Sequence, residues 1–298
     1  MNRISGVALA VSIALASPLI GQTGEPPEVT RSYDLVYANP GGAELTLDID
    51  QPAARRGFLP AVLVIHAGAW REGGKEESRK LLVEFSRRGY VAVSPQYRLC
   101  PADTFPAQVH DVKAAVRWIR ANAASLGVDP ERIGAMGFSA GGHLALMLGV
   151  TGPEDRLEGS PGPSAPSSRV RAVVSYYAPL DLADPSFSEF GRSLVSNCLG
   201  QGAARRKELA KRTSPLTFVS AGDAPVLAFQ GTKDPLVPFK QALRLAEALT
   251  VAGVPGRVEL LVGAGHGWQG DEHDRTMKET FEFFDRHLKA PAAAPPTP

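Results

Sequence analysis

Gly137-Phe138-Ser139-Ala140-Gly141 decides the fold because of what lies on either side of it. Arg132 to Gly137 reads as a strand and His143 to Val150 takes up a helical pattern almost at once, so Ser139 falls in a strand-to-helix junction. The pentapeptide has the G-x-S-x-G form of a nucleophile elbow, in which a serine in a strained turn presents its hydroxyl at the carboxyl edge of a sheet. A side chain at either glycine would collide with the neighbouring strand or helix. The helix behind the serine also points its amino end at any negative charge that develops there. Alone, the pentapeptide is a weak signal; the strand before it and the helix after it give it weight.

Outward from this junction the chain repeats one arrangement: an apolar run, a Gly-bearing turn, then a helix-period stretch, the pattern of a mostly parallel sheet with crossover helices. Ala61-Val62-Leu63-Val64-Ile65 is a continuous apolar run typical of a strand buried on both faces, and Tyr90-Val91-Ala92-Val93 is the next. Tyr33 to Tyr37 and Glu44 to Ile49 read as an opening pair, Val170 to Tyr176 as the strand after the elbow, and Pro225 to Phe229 and Val258 to Val262 as the last two. Gln108 to Ala123 carries Val109, Val112, Val116 and Ile119 at helical spacing, and Asp129-Pro130 signals a turn. Further helices are expected over Phe239 to Ala252 and Asp274 to Leu288. Gly152 to Ser168 reads as a surface loop. Pro179 to Ser220 lacks a strand pattern, contains a basic helical stretch, and is read as a small lid-like insert near the site.

The 298 residues are 44% hydrophobic and 21% charged, enough to bury a large core, and one catalytic domain is expected over residues 25–289. Lys and Arg (32) nearly balance Asp and Glu (31), so a net charge of +1 gives no general electrostatic reason to hold nucleic acid or an anionic membrane. The one basic clump, Arg205, Arg206, Lys207, Lys211 and Arg212, reads as a solvated helix face. Met1-Asn2-Arg3, the apolar run Ile4 to Ala16 and the small-x-small Ala14-Leu15-Ala16 read as a secretory signal over residues 1–16, which predicts a secreted or periplasmic protein. That run is shorter than the roughly 20 residues a spanning helix needs, so no stable membrane anchor is expected. Residues 290–298, only Ala, Pro and Thr, read as a disordered tail. Two cysteines, Cys100 and Cys198, leave one bridge or two buried thiols open.

A serine hydroxyl needs an imidazole to take its proton. His266, in Gly263-Ala264-Gly265-His266-Gly267-Trp268 after the last strand, is the candidate, since the glycines free the loop to present the ring. His110, His273 and His287 fall on predicted helices or their edges and read as solvated, and His143 reads as a packing or hydrogen-bonded residue. The chain order Ser, Asp, His calls for a carboxylate between the two, just past a strand. Asp234, in Gly231-Thr232-Lys233-Asp234-Pro235, fits; Asp181 is the second candidate, and Asp223 precedes its strand. Donors for an oxyanion are expected from the amide of Ala140 and from His66-Ala67-Gly68-Ala69-Trp70, which follows the Ala61 to Ile65 strand. No zinc spacing, dinucleotide fingerprint or P-loop is present in the sequence, so no metal and no cofactor is called for.

With these residues in view, the chain resembles the secreted α/β-hydrolases related to bifunctional acetyl-xylan and feruloyl esterases, within the hormone-sensitive-lipase-like carboxylesterases. The resemblance rests on His66-Ala67-Gly68-Ala69-Trp70, Tyr97-Arg98-Leu99, Phe105-Pro106-Ala107 through Asp111, Gly137 through Ala145, Gly231 through Pro238 and Gly265-His266-Gly267. It implies an α/β-hydrolase fold, a triad of Ser139, Asp234 and His266, and an oxyanion hole from the amides of Ala67, Gly68 and Ala140. It also implies hydrolysis of acetyl or feruloyl esters of plant polysaccharide, or similar short-chain esters, without a cofactor. Ala67 stands where the family usually has Gly, which would strain the alanine if that position needs a positive φ. Arg98 and Asp111 read as a buried structural pair. A peptidase or arylformamidase on the same fold, and a non-catalytic binding protein on a hydrolase scaffold, are the alternatives.

Overall fold

The structure is a computed structural model, and it describes residues 27–164, 166–200 and 202–289. The signal expected over residues 1–16 and the tail expected over 290–298 lie outside the described residues. Strands β1 (Val29–Ala38) and β2 (Leu45–Pro52) open the chain, followed by β3 (Leu59–Ile65), helix α1 (Arg79–Arg87), β4 (Val91–Pro95), α2 (Ala107–Ala121) and the short α3 (Ala123–Leu126). Then come β5 (Val128–Phe138), α4 (Ala140–Val150), β6 (Ala172–Tyr176), α5 (Glu189–Leu199), α6 (Ala203–Arg212), β7 (Val226–Gly231), α7 (Lys240–Ala252), β8 (Gly256–Leu261) and α8 (Asp271–Phe284).

The eight strands form one sheet in the order β1-β2-β4-β3-β5-β6-β7-β8. Only β1 with β2 and β2 with β4 pair antiparallel; every other pairing is parallel. This is the expected α/β-hydrolase arrangement. The continuous apolar runs occupy the centre: Ala61 to Ile65 are at most 1% exposed because helices cover both faces. Val62, Val64, Met136, Val174 and Phe229 pack toward α1 and α8 through Leu82, Phe85, Phe281 and Phe284. Leu63, Ile65, Ala135 and Val173 pack on the other side with α2, α4 and α7 through Val112, Val116, Leu144, Leu148 and Leu245. α4 is buried at every position, as a helix apolar all round must be.

Three details depart from the sequence reading. Helix α1 was not anticipated, although Leu82, Phe85 and Ser86 share its buried face. The turn expected at Asp129-Pro130 is an irregularity inside β5: Leu59 pairs with Val128 and Ala61 with Ile133, while Asp129 Oδ1 accepts the Glu131 amide at 3.0 Å. The side chain therefore satisfies an amide that the ladder skips. His110, His273 and His287 are half-buried rather than solvated; burial first, then Arg98 and Arg117 nearby, pushes His110 down to about 4.

The insert between β6 and β7 is the helix pair α5 and α6, with Arg205, Arg206, Lys207 and Lys211 exposed as a solvated face. Its first helix is joined covalently to the core, because Cys198 forms a disulfide with Cys100, with a Cα separation of 5.2 Å. Among the described residues no helix is long and apolar enough to cross a membrane.

Candidate active site

Ser139 sits between β5 and α4 with φ 51° and ψ −116°, a left-handed conformation that a β-substituted residue adopts only under constraint. The constraint is visible. Its amide donates to Tyr176 O at 2.8 Å, and its own carbonyl takes the amide of His143 at 3.0 Å. A Cβ on Gly137 would lie 2.3 Å from the carbonyl carbon of Gly141, and one on Gly141 would lie 2.1 Å from Ile65 O. Both glycines are therefore required by close backbone approach.

The imidazole and the carboxylate arrive from neighbouring loops, after β8 and β7. Thr232 N donates to Leu261 O at 3.0 Å, Lys233 N to Ala264 O at 2.8 Å, and Thr232 Oγ1 accepts the Gly263 amide at 2.9 Å. The two backbones pass so close that a Cβ on Gly231 would lie 2.2 Å from Gly265 O. Behind them, Trp268 Nε1 donates to Thr276 Oγ1 on α8 at 3.0 Å, which seats the histidine loop.

Within this frame His266 Nε2 lies 2.9 Å from Ser139 Oγ and His266 Nδ1 lies 2.8 Å from Asp234 Oδ2. The Asp234 side chain is fully buried. Its Oδ1 accepts the amides of Leu236 (2.8 Å) and Val237 (2.9 Å), and Oδ2 also accepts Gln230 Nε2 at 2.9 Å. A carboxylate accepting on both oxygens has no proton to give, so the His266 proton sits on Nδ1 and Nε2 is free to accept from Ser139. Gln230 was not anticipated in the sequence; a glutamine ending the apolar run Val226 to Phe229 was its only sign. Tyr177 was missed too. Its ring packs edge-on against His266 at 4.7 Å, from a backbone with φ 38°. The second acid candidate, Asp181, is engaged elsewhere, with Arg244 at 2.8 Å and the Ala183 amide at 3.0 Å.

The loop after β3 supplies the facing wall. Ala67 O accepts from Tyr97 Oη at 3.1 Å and from His66 Nδ1 at 2.9 Å. Because a trans peptide points its C=O and N–H in opposite directions, pinning this carbonyl turns the Gly68 amide the other way. Among the described residues, the amides of Ala67, Gly68 and Ala140 have no hydrogen-bond acceptor. The strain considered for Ala67 lies further along: Ala67 keeps a negative φ, while Gly68 (102°), Ala69 (50°) and Trp70 (59°) are left-handed in succession. Gly68 cannot be anything larger, since a Cβ there would lie 2.0 Å from Glu72 O.

Two more histidines lie close by, both neutral. Burial, the largest cause, pushes His66 and His143 down to about 4. His143 accepts from Trp70 Nε1 at 3.2 Å on Nδ1 and donates from Nε2 to Thr213 O at 2.6 Å, so both nitrogens are occupied. Arg98 and Asp111 form a pair in which the guanidinium contacts the buried carboxylate at 2.7 Å and the Arg98 amide donates to it at 2.9 Å. No group of three or more His, Cys, Asp or Glu among the described residues could hold a metal ion.

A mostly parallel sheet with a serine elbow after β5, a carboxylate after β7 and a histidine after β8 defines the α/β-hydrolase class. Within that class the chain belongs to the BD-FAE family, whose profile matches residues 47–249. It is 33% identical to Esterase LipQ of Mycobacterium tuberculosis over 233 residues, which cover 75% of this chain and 53% of that protein. It is 31% identical to Esterase LipC of the same organism, over 70% of this chain and 53% of the relative. The chain thus spans about half the length of the curated relatives it matches. Among solved structures, a truncated carbohydrate esterase from gut microbiota superposes with a TM-score of 0.73 at 27% identity, covering 90% of this chain and 99% of that one. Thermogutta terrifontis esterase 2, phosphonylated by cyclosarin, gives 0.73 at 29% identity, covering 90% and 97%.

Proposed function

We propose that this chain is a serine carboxylic ester hydrolase that works through an acyl-enzyme. The observation that carries the reading is the unbroken hydrogen-bonded run from Ser139 Oγ through His266 to a buried Asp234. Ser139 Oγ attacks the ester carbonyl as its proton passes to His266 Nε2, and the carbonyl π pair moves onto oxygen. The amides of Ala67, Gly68 and Ala140 receive that oxyanion, and the amino end of α4 adds its dipole. Collapse of the tetrahedral adduct expels the alcohol, which takes the proton from His266. Water, deprotonated by the same nitrogen, then attacks the acyl-enzyme, and the acid leaves as Ser139 recovers its proton. Asp234 stays ionised throughout and stabilises the imidazolium.

The substrates inferred are acetyl or feruloyl esters of plant polysaccharide, or similar short-chain esters. Membership of the BD-FAE family and the fold shared with a carbohydrate esterase support this choice. We likewise infer a secreted or periplasmic protein, supported by the Cys100–Cys198 disulfide, which persists in oxidising compartments. The test is hydrolysis of p-nitrophenyl acetate, longer acyl esters, methyl ferulate and acetylated xylan by the wild type and Ser139→Ala. Cleavage of acetyl or feruloyl esters by the wild type alone is expected; no cleavage of any ester would move the peptidase, formamidase or scaffold readings ahead.

A further inference from the structure

Gly68, Ala69 and Trp70 form a left-handed turn closed by the amides of Arg71 and Glu72 on Gly68 O, at 2.9 and 3.1 Å. Left-handed helical conformations disfavour L-residues with a Cβ, and Ala69 and Trp70 both have one. Such a turn persists only where its surroundings over-determine it. Left to itself, this segment would relax to right-handed backbone and pull on the Ala67–Gly68 peptide from its Gly68 side, against the hold of Tyr97 and His66 on the Ala67 carbonyl.

What holds it comes from far away in the chain. The carbonyl of Trp70 accepts the amide of Cys100 at 2.8 Å, and the carbonyl of Ala69 faces Cys198 Sγ at 3.9 Å. Cys198 O accepts the amide of Phe105 at 2.8 Å, so the segment after β4 and helix α5 are joined on both sides of the bridge. The bridge is buried, with Cys100 at 4% exposure and Cys198 at 0%. It closes a separation of 98 residues directly behind the turn. A second tie runs through side chains: the Trp70 indole, 2% exposed, bonds His143 behind the nucleophile, and His143 bonds Thr213 at the end of α6.

We propose that Cys100 and Cys198 are positioning residues for catalysis, their bridge holding the insert as a buttress that keeps the left-handed turn, and with it the Gly68 amide, aimed at the oxyanion. This rests on the ester-hydrolase reading above. The bridge touches no member of the triad: Ser139 is held by Tyr176 O on β6 and by the His143 amide on α4, and Asp234 and His266 by the loops after β7 and β8. Loss of the bridge therefore lowers kcat through the oxyanion and leaves substrate binding and proton transfer geometry in place.

The experiment compares wild type with Cys100→Ala/Cys198→Ala on p-nitrophenyl acetate, measuring kcat and KM well below the melting temperature. In parallel it measures inhibition by a trifluoromethyl ketone, whose adduct with serine places an oxyanion in the hole. The expected result is kcat reduced about tenfold or more, KM within about twofold, and affinity for the ketone reduced by a factor similar to that in kcat. Unchanged kcat and ketone affinity in a folded variant would overturn the proposal, because the bridge would then serve stability alone. Should the double variant fail to fold, the wild type is reduced with a phosphine until two thiols per chain are titrated. Folded protein with reduced kcat that recovers on reoxidation supports the proposal; full activity, or global unfolding on reduction, overturns it. A wild type inactive on every ester sinks the ester-hydrolase reading instead, so the two failures are distinct.

Discussion

The two walls of the site are held by different means. On the acid–base side, the loops after β7 and β8 are joined backbone to backbone, with glycine at 231 allowing the Ala264 and Gly265 carbonyls closer than any side chain there permits. On the proposed oxyanion side, the loop after β3 is held by side chains and a bridge that originate in the segment after β4, α4 and the insert. The first wall is fixed by neighbours in the sheet. The second depends on contacts from distant sequence, and it contains the strained backbone.

Substitutions can break this contrast or sharpen it. The largest effect belongs to the acid–base wall: His266→Ala should lower kcat on p-nitrophenyl acetate by about 10⁴- to 10⁶-fold, and Asp234→Asn by about 10⁴-fold, with KM little changed in steady-state kinetics. Next comes Arg98→Ala, which leaves the buried Asp111 without its cation just ahead of Cys100 and should cost about 3–5 kcal/mol in urea unfolding. Residual activity per folded molecule should survive. If Arg98→Ala instead abolishes activity at unchanged thermal stability, the pair belongs to the chemistry.

Gly231→Ala and Trp70→Phe probe one wall each at similar cost. The alanine methyl must displace the Gly265 carbonyl, an overpacking worth about 1–3 kcal/mol. It should lower stability together with activity, since it pushes the histidine loop away. Trp70→Phe keeps a ring but leaves the buried Nδ1 of His143 without a donor, about 1–3 kcal/mol by urea titration. Its signature should be lower kcat with KM retained.

Acid should sharpen the contrast with the smallest effect. His66 and His143, held to about 4 by burial, both lie on the oxyanion side. Between about 6.5 and about 4 the unfolded chain binds protons at these positions and the folded chain does not. The stability they contribute is therefore complete above about 6.5 and lost as pH falls through that window. Thermal melts from pH 7 to 4 should show this decline, and His143→Gln should flatten part of it.

Much of this was legible in the sequence, for physical reasons that also mark where legibility stops. The central strands announced themselves because burial on both faces demands unbroken apolar runs such as Ala61 to Ile65. Ser139, Asp234 and His266 could be named because each closes or follows a strand in a glycine-marked turn, and the structure brings the three together. Helix α1 escaped because its apolar residues crowd together at Leu81-Leu82-Val83 and obscure the spacing of Leu82, Phe85 and Ser86. The left-handed turn is not legible because neither alanine nor tryptophan signals the positive φ that Ala69 and Trp70 adopt. The disulfide stayed open because only the tertiary fold brings helix α5 to the segment after β4. What the sequence could not show is therefore what long-range contacts impose on a local conformation.

The proposed function requires Ser139 to be an activated nucleophile aimed into an oxyanion site. The most direct measurement is intact-mass and peptide mapping after reaction with a fluorophosphonate, run on wild type, Ser139→Ala and His266→Ala. One adduct per chain, located on Ser139, absent from Ser139→Ala and formed far more slowly in His266→Ala, is the predicted result. No adduct on a folded wild type, or an adduct on another residue, would rule Ser139 out as the nucleophile.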